Sequence, residues 1–256
     1  KEVLQSARKT PREWRMWSAL PDGSTREVPQ GTTAGELASQ IGRRLGRDAI
    51  AAVINGEPRD LDVPIEADAE VSIVTPASDD GRHVLRHSTA HVLAQAVTRL
   101  FPGAKFSIGP AIENGFYYDF DLPGGATFTD DDLARISKEM DSIVAADQPF
   151  ERVEMGADAA LETFADQPYK CEIIERVRAA DADGLDAGEV SNPDIISAYR
   201  NSEQFIDMCV GPHVPSTGRL GHFALQRTSG AYWRGDESRR MLQRIYGTAW
   251  ESAEAL

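Results

Sequence analysis

Residues 82–100 read RHVLRHSTAHVLAQAVTRL, and the expected architecture of the larger part of the chain follows from this stretch. Its apolar residues recur at the spacing of an α-helix, so we predict a helix with one buried face. The predicted buried residues are Leu85, Val92, Leu93, Ala96 and Leu100. His87 and His91 are four positions apart, which places their side chains next to each other on one stripe of this helix.

A second motif, DMCVGPH, occupies residues 207–213, much further along the chain. Strand alternation in the preceding residues places Asp207 and Cys209 on the same face. Gly211 and Pro212 then turn the chain, so His213 is presented from a loop or a strand end. The two motifs hold three of the five histidines and one of the two cysteines. This concentration of reactive side chains predicts one site folded from two segments.

Each motif also has a structural explanation. A pair of histidines on a helix is weak evidence for a site, and a free cysteine is most often a small buried hydrophobic residue. Three histidine nitrogens and one cysteine sulfur also match the ligands of tetrahedral zinc. The residues alone leave open a catalytic cluster, a zinc site and ordinary packing.

The stretch KFSIGPAIENGFYYDFD, residues 105–121, predicts a hairpin with Asn114-Gly115 as its turn. Tyr118 shares one face of the second strand with two phenylalanines, so its hydroxyl either lines a pocket or bonds to backbone in the core. Helical patterns follow at 129–146 and 158–165. Lys170, just after Pro168-Tyr169, would by itself be interpreted as a surface residue.

The N-terminal part has the pattern strand, strand, helix, strand, strand, which predicts a β-grasp module. A PDG turn at 21–23 joins the first two strands, and Thr33 with Glu36 forms a capping box at the start of the helix. Two further strand-like runs occupy 49–56 and 69–75. No reactive cluster falls in this module, so we expect it to bind or brace rather than to catalyse.

A polar, turn-rich break at 76–81 marks the boundary between two domains. We predict an α+β protein with a polar tail at 1–16 and a β-grasp domain at 17–78. A larger α+β domain, with a helix packed on antiparallel sheet, follows at 79–240. Residues 241–256 are predicted to begin a linker helix, as part of a longer protein.

Composition narrows the class of protein. The formal net charge of −14 argues against wholesale electrostatic binding of nucleic acid, although five arginines between 227 and 244 interleave with Tyr232 and Trp233. That cluster is either a solvated helix face or a local RNA-contacting surface.

No apolar run approaches the ~20 residues of a membrane span. Two cysteines give no disulfide framework, so we expect a cytoplasmic protein without membrane contact.

Five blocks in this order resemble the N-terminal half of the bacterial threonyl-tRNA synthetase family: RHSTAH, IGPAIENGFYYDFD, PYK, DMCVGPH and GAYWRGDESRRMLQRIYGTAW. The resemblance covers roughly residues 17–256. It implies a TGS-type β-grasp domain followed by an editing domain. The implied reaction is hydrolysis of the ester in mischarged seryl-tRNA(Thr), and the parent enzyme would attach threonine to tRNA(Thr) with ATP.

The resemblance also implies roles for particular residues. His87, His91, Cys209, His213 and Lys170 would form the catalytic set, and Tyr118, Asp207 and Gly109 would bind the seryl group. His87 and Lys170 are expected nearest the water, and Asp207 and Tyr118 would hold the seryl amine or hydroxyl. Arg234 and Arg244 would contact tRNA. His83 has no counterpart in the family motif and is left out.

The resemblance further implies that no cofactor is required for editing. The related alanyl-tRNA editing domain holds zinc on the equivalent motif, so zinc on His87, His91, Cys209 and His213 is the less favoured arrangement. ATP and a further zinc are expected only in the aminoacylation core, outside this sequence. The parent is expected to be a homodimer with its contacts mainly outside this part. The rival hypothesis is a non-catalytic, zinc-stabilised module that binds RNA or protein.

Overall fold

The computed structural model describes residues 23–179 and 195–256, together with the backbone of residues 15–19. Nearly all of the expected N-terminal tail, and part of the PDG turn, lie outside the described residues. Within the described part of the chain, the helices are all too short or too polar to cross a membrane.

The N-terminal module is a mixed sheet covered by a helix. Its elements are β1 (Arg15–Ala19), β2 (Thr25–Pro29), α1 (Ala34–Ile41), α2 (Arg43–Asp48), β3 (Ala51–Ile54), β4 (Glu57–Arg59) and β5 (Ala69–Val74). The strand order is β2-β1-β5-β3-β4, with β1 parallel to β5. Thr33 caps α1 through the predicted capping box with Glu36, and Leu37 packs with Val28 and Val71 in the core. The predicted β-grasp fold is confirmed.

The second module places helices against antiparallel sheets. Its elements are α3 (Asp79–Leu100), β6 (Lys105–Phe106), β7 (Ala111–Ile112), β8 (Gly115–Asp121), α4 (Asp130–Ala145), β9 (Glu151–Met155), α5 (Ala157–Thr163), α6 (Pro168–Arg178), β10 (Ile196–Ser202), β11 (Phe205–Met208), β12 (Phe223–Tyr232) and β13 (Met241–Ala249). One sheet has the order β12-β13-β8-β6, with β7 paired to β8, and a smaller sheet has the order β11-β10-β9. This confirms the predicted α+β class.

Helix α3 is the central element of the second module. Ser78 caps it by accepting the Gly81 N–H, and two aspartates occupy its first turn at the positive end of the helix dipole. It contacts α4 and the sheet strands β7, β8 and β13, and residues 84–97 are all buried. The predicted helix is therefore present, starting three residues earlier than expected, with Leu100 only half-buried.

Two local predictions were wrong. Met241–Ala249 forms strand β13 instead of a linker helix, because it lies between β12 and β8, which both bond to its backbone. Ile245 lies opposite Tyr118 on the core face, and Arg244 lies opposite Asp119 on the other face. The hairpin turn is Glu113-Asn114 and not Asn114-Gly115, because Gly115 already pairs with Ile112 as the first residue of β8.

The two modules are packed against each other. Ile50 and Val74 of the β-grasp module belong to the same buried cluster as Val84 and Leu85 of α3. At the joint, a Cβ on Gly81 would lie 1.9 Å from the carbonyl oxygen of Thr75, so this position has no room for a side chain. The N-terminal module is thus held in fixed contact with the helix that carries the histidines.

Candidate functional site

Four reactive side chains meet inside the second module. Helix α3 contributes His87 and His91, the chain just after β11 contributes Cys209, and the following loop contributes His213. Their potential ligand atoms all lie within 4.8 Å of one another, and all four residues are buried. The His213 ring centroid lies 4.5 Å from that of His87 and 4.3 Å from that of His91. The structure therefore brings the two sequence motifs together.

The alternation of side-chain direction along β11, expected from the sequence, explains how Cys209 reaches the cluster. Phe205 and Cys209 pack in the large core under α3, whereas Ile206 and Met208 pack in a separate cluster around α6. Asp207 shares the face of Cys209 and is 1% exposed. Strand β11 thus sends one set of side chains to the site and the other to a second core.

His213 is held on several sides. Its Nδ1 lies 3.0 Å from the hydroxyl of Ser88, which also accepts the backbone N–H of Val214. Its Nε2 lies 3.1 Å from the sulfur of Cys209. The ring stacks on Phe150 at 4.6 Å with an angle of 6° between the planes. These contacts fix the orientation of the imidazole, as a reacting group or a metal ligand requires.

A second polar group adjoins the cluster. The ammonium of Lys170 lies 2.7 Å from Oδ1 of Asp207, and the Tyr118 hydroxyl donates to Oδ2 of Asp207 over 2.5 Å. Lys170 also donates to the Tyr118 oxygen over 3.3 Å. His91 Nε2 lies 3.6 Å from Oδ2 of Asp207, which links this group to the histidines. All three residues are buried, including the lysine that the sequence alone assigned to the surface.

Burial determines the charges at the site. It lowers the pKa of His91 to about 4, and it lowers the pKa values of His87 and His213 well below the ordinary histidine value. Burial likewise raises the pKa of the Cys209 thiol well above its ordinary value. For Asp207, burial acts to raise the pKa, but the nearby Lys170 and His91 and the hydrogen bonds from Lys170 and Tyr118 together outweigh it, so the pKa is lowered. At neutral pH the site holds neutral imidazoles, a neutral thiol and one buried ion pair.

The cluster also has the donor set of a zinc site. Three imidazole nitrogens and one sulfur within 4.8 Å of one another match the composition and approximate spacing of tetrahedral zinc ligands. The Ser88 hydroxyl on the far nitrogen of His213 is the kind of outer partner that orients a metal-bound histidine. His87, His91, Cys209 and His213 could therefore hold zinc as well as act without it.

The remaining predicted residues lie around this centre. A Cβ on Gly109 would lie 2.1 Å from the ring of Tyr118, so Gly109 packs directly against that ring and has no room for a side chain. Arg244 forms a two-point ion pair with the buried Asp119, at 2.7 and 2.8 Å, on the face of the sheet opposite Tyr118. Arg234 pairs with Glu172 over 3.2 Å. The structure does not bring either arginine to the cluster.

Sequence reasoning missed several residues that shape the site. Ser88 lies between the two histidines of RHSTAH, and a hydroxyl on that helix face was the available signal. Phe150 and Tyr199 carry no local signal, since they reach His213 only in the folded chain, Phe150 from just before β9 and Tyr199 from β10. Asp60 of the β-grasp module accepts the backbone N–H of His213 over 2.8 Å, across a sequence separation of 153 residues.

Comparison with known proteins agrees with this architecture. Residues 16–75 match the TGS domain, and residues 196–246 match the threonyl and alanyl tRNA synthetase second additional domain. The chain thus joins a β-grasp TGS domain to a domain found in threonyl- and alanyl-tRNA synthetases.

Similar proteins assign the chain to one synthetase family. The chain is 45% identical to a threonine–tRNA ligase of Rubrobacter xylanophilus over 93% of its length and 34% of the relative's. It is 47% identical to that of Desulforamulus reducens over 90% of its length and 34% of the relative's. The chain belongs to the threonyl-tRNA synthetase family and spans about a third of the length of these curated relatives. The resemblance expected from the five sequence blocks is confirmed.

Proposed function

We propose that this chain hydrolyses the ester that joins serine to the terminal ribose of tRNA(Thr). The observation that carries this proposal is the contact between a buried, neutral histidine cluster and the buried Lys170–Asp207 ion pair. Such a site offers a proton acceptor beside a fixed positive charge. Family membership supports a tRNA-related function for the same domain.

The need for such a reaction follows from the size of the two amino acids. Serine lacks one methyl group of threonine, and a pocket discriminates by only ~1–3 kcal/mol for one missing methylene or methyl. A synthetic site therefore accepts some serine. A second site that admits serine and is too narrow for the threonine methyl group removes the error.

In the proposed reaction, a water oxygen attacks the seryl carbonyl carbon. His87 accepts a proton from this water, since its imidazole is neutral at pH 7 and it is the least buried of the cluster histidines. Lys170 stabilises the negative charge that develops on the carbonyl oxygen. Asp207 and Tyr118 hold the seryl amine or hydroxyl. The bond from carbonyl carbon to ribose oxygen then breaks, and that oxygen takes a proton, which gives free serine and tRNA.

We propose that hydrolysis proceeds without a metal ion. The support is Lys170, because its ammonium already places a positive charge within the site. If zinc is bound, His87, His91, Cys209 and His213 would hold it, and it would supply a Lewis acid and a more acidic bound water. The alternative to catalysis is a closed structural zinc site in an RNA- or protein-binding module.

We further propose that the tRNA acceptor arm crosses the β12–β13 hairpin, where Arg234 and Arg244 are its expected contacts. Both arginines already bind carboxylates of their own domain, so replacing them also affects stability. Arg227 is exposed on the same hairpin with its guanidinium 3.8 Å above the Tyr246 ring. It is therefore the cleaner residue with which to test this surface.

The test is deacylation of seryl-tRNA(Thr) and threonyl-tRNA(Thr) with and without a chelator, beside metal analysis of the purified chain. We expect chelator-resistant loss of serine only, abolished in His87→Ala and Cys209→Ala. His83→Ala is the matched control, because it removes an exposed histidine one turn earlier on the same helix. Unfolding by the chelator without any hydrolysis would instead support the zinc-stabilised binding module. A seryl-adenosine ester tests the chemistry where tRNA binding is weak.

A further inference from the structure

Asp60 connects the β-grasp module to the histidine cluster. It follows β4 in a segment that its own module holds firmly, because the Leu61 carbonyl accepts the Gly35 N–H and the Ile65 N–H donates to the Thr32 carbonyl, both over 2.9 Å. The Asp60 carboxylate extends from this segment into the second module. Its position is therefore set by the β-grasp fold rather than by the domain that carries the site.

Both carboxylate oxygens of Asp60 bond to the surroundings of His213. Oδ1 accepts the His213 backbone N–H over 2.8 Å, and Oδ2 accepts the Tyr199 hydroxyl over 2.5 Å. The Tyr199 ring meets the His213 ring edge-on, with 4.4 Å between centroids. One carboxylate thus fixes the backbone of His213 and one wall around its imidazole.

The same network reaches the turn before His213. Arg152 donates to the Tyr199 oxygen over 3.1 Å and to the Val210 carbonyl over 2.7 Å. At Gly211 a Cβ would lie 2.1 Å from the Tyr199 hydroxyl, so the turn passes directly against that group. Asp60 and Arg152 therefore hold the turn that presents His213 both by direct hydrogen bonds and through Tyr199, the contact they share.

We propose that Asp60 is a positioning residue for hydrolysis and that the β-grasp module thereby supplies part of the site; this inference rests on the function proposed above. A hydrogen bond from a backbone N–H to a carboxylate is short and roughly twice as strong as a neutral one. Displacing a group in a catalytic site by about 1 Å can cost about 100-fold in rate. Asp60 acts on the reaction only through His213 and Tyr199.

The experiment compares Asp60→Ala, Asp60→Asn and Asp62→Ala in the full 256-residue chain. Asp62 is the matched control, since it is an exposed carboxylate two residues away in the same turn. We expect Asp60→Ala to lower kcat for the seryl ester about 10- to 100-fold, with KM changed less than about threefold. Asp60→Asn should recover most of the rate, because its amide oxygen still accepts the His213 N–H.

A second readout does not depend on activity. Selective ¹⁵N-histidine labelling gives backbone amide signals from the five histidines, and that of His213 is assigned by its loss in His213→Gln. We expect this signal to move upfield in Asp60→Ala and to stay in place in Asp62→Ala. Circular dichroism melting of each variant separates a loss of folding from a loss of positioning.

The outcomes are distinct. An unmoved His213 amide in Asp60→Ala overturns the inference whatever the rates are. A moved amide with an unchanged kcat also overturns it, because the contact then has no consequence for hydrolysis. Equal loss in Asp60→Asn and Asp60→Ala argues against positioning through the retained acceptor and overturns the mechanism. If the unsubstituted chain hydrolyses no seryl ester, the proposed function fails and takes the catalytic part of the inference with it.

Discussion

Replacing Lys170 by methionine removes the positive charge from a buried ion pair. Its ammonium lies 2.7 Å from Asp207, and the side chains of the two residues are 3% and 1% exposed. The Tyr118 hydroxyl still donates to Asp207 over 2.5 Å, but a hydrogen bond does not neutralise the carboxylate. The variant therefore leaves an uncompensated charge in the interior.

The expected cost follows from burial. Removing one partner of a buried ion pair destabilises a protein by about 3–5 kcal/mol, because the other charge stays desolvated. For a chain of this size, each kcal/mol lowers Tm by roughly 2–4 °C. Lys170→Met should therefore lower Tm by about 6–20 °C. The double variant Lys170→Met/Asp207→Asn should recover part of this loss, since it leaves no unpaired charge.

The effect should also depend on pH. In the unsubstituted chain the pKa of Asp207 is lowered, so its contribution to stability is present above the unfolded pKa of about 3.9 and is lost as the pH falls through the folded pKa. Without Lys170, burial should raise the folded pKa above the unfolded one. Ionisation of Asp207 then destabilises the folded state. The variant is most stable below the unfolded pKa and loses stability as the pH rises through the folded pKa. The cost of Lys170→Met should be larger at about pH 7 than at about pH 4.5.

Urea unfolding followed by circular dichroism at both pH values measures these differences. Lys138→Met is the matched control, because Lys138 is exposed on α4, and its change should stay within about 0.5 kcal/mol. A cost of less than about 1 kcal/mol for Lys170→Met at neutral pH would refute the role of the buried ion pair. A double variant no more stable than the single one would refute it as well.

Two further predictions concern the seryl pocket and the tRNA surface. Gly109→Ala should reduce hydrolysis of the seryl ester at least about 10-fold, because the new methyl group displaces the Tyr118 ring. Gly42→Ala is the control, since a methyl group there meets open space and should leave the rate unchanged. Equal rates for the two variants would contradict the role of Gly109. Arg227→Gln should weaken tRNA binding and reduce the slope of the logarithm of the association constant against the logarithm of the salt concentration by about 1. Arg26→Gln, at an exposed arginine of the β-grasp module, should leave both unchanged. Binding titrations at several salt concentrations measure the slope, and an unchanged slope in Arg227→Gln would exclude Arg227 from the tRNA surface.

Local patterns predicted those parts of the site that local geometry determines. Helical spacing placed His87 and His91 side by side, and strand alternation placed Asp207 and Cys209 on one face. Both periodicities act over a few residues, so they can be read without knowing the fold. The turn at Gly211 likewise indicated that His213 leaves the strand direction.

Features that depend on distant partners could not be predicted in this way. Lys170 is buried because its ammonium meets Asp207 from another element, and nothing near Lys170 in the sequence records that contact. Residues 241–249 contain good helix formers, yet pairing with β8 and β12 makes them a strand. The contribution of Asp60 depends on how two modules pack, which no periodicity describes.

The close contact at Gly81 makes the junction between the two modules rigid. Helix α3 begins against the last residues of the β-grasp sheet, with no space for even a methyl group between them. An insertion here would lengthen the connection without changing either module. It would nevertheless shift the two modules relative to each other, so the length of this joint is itself part of the specification of the site.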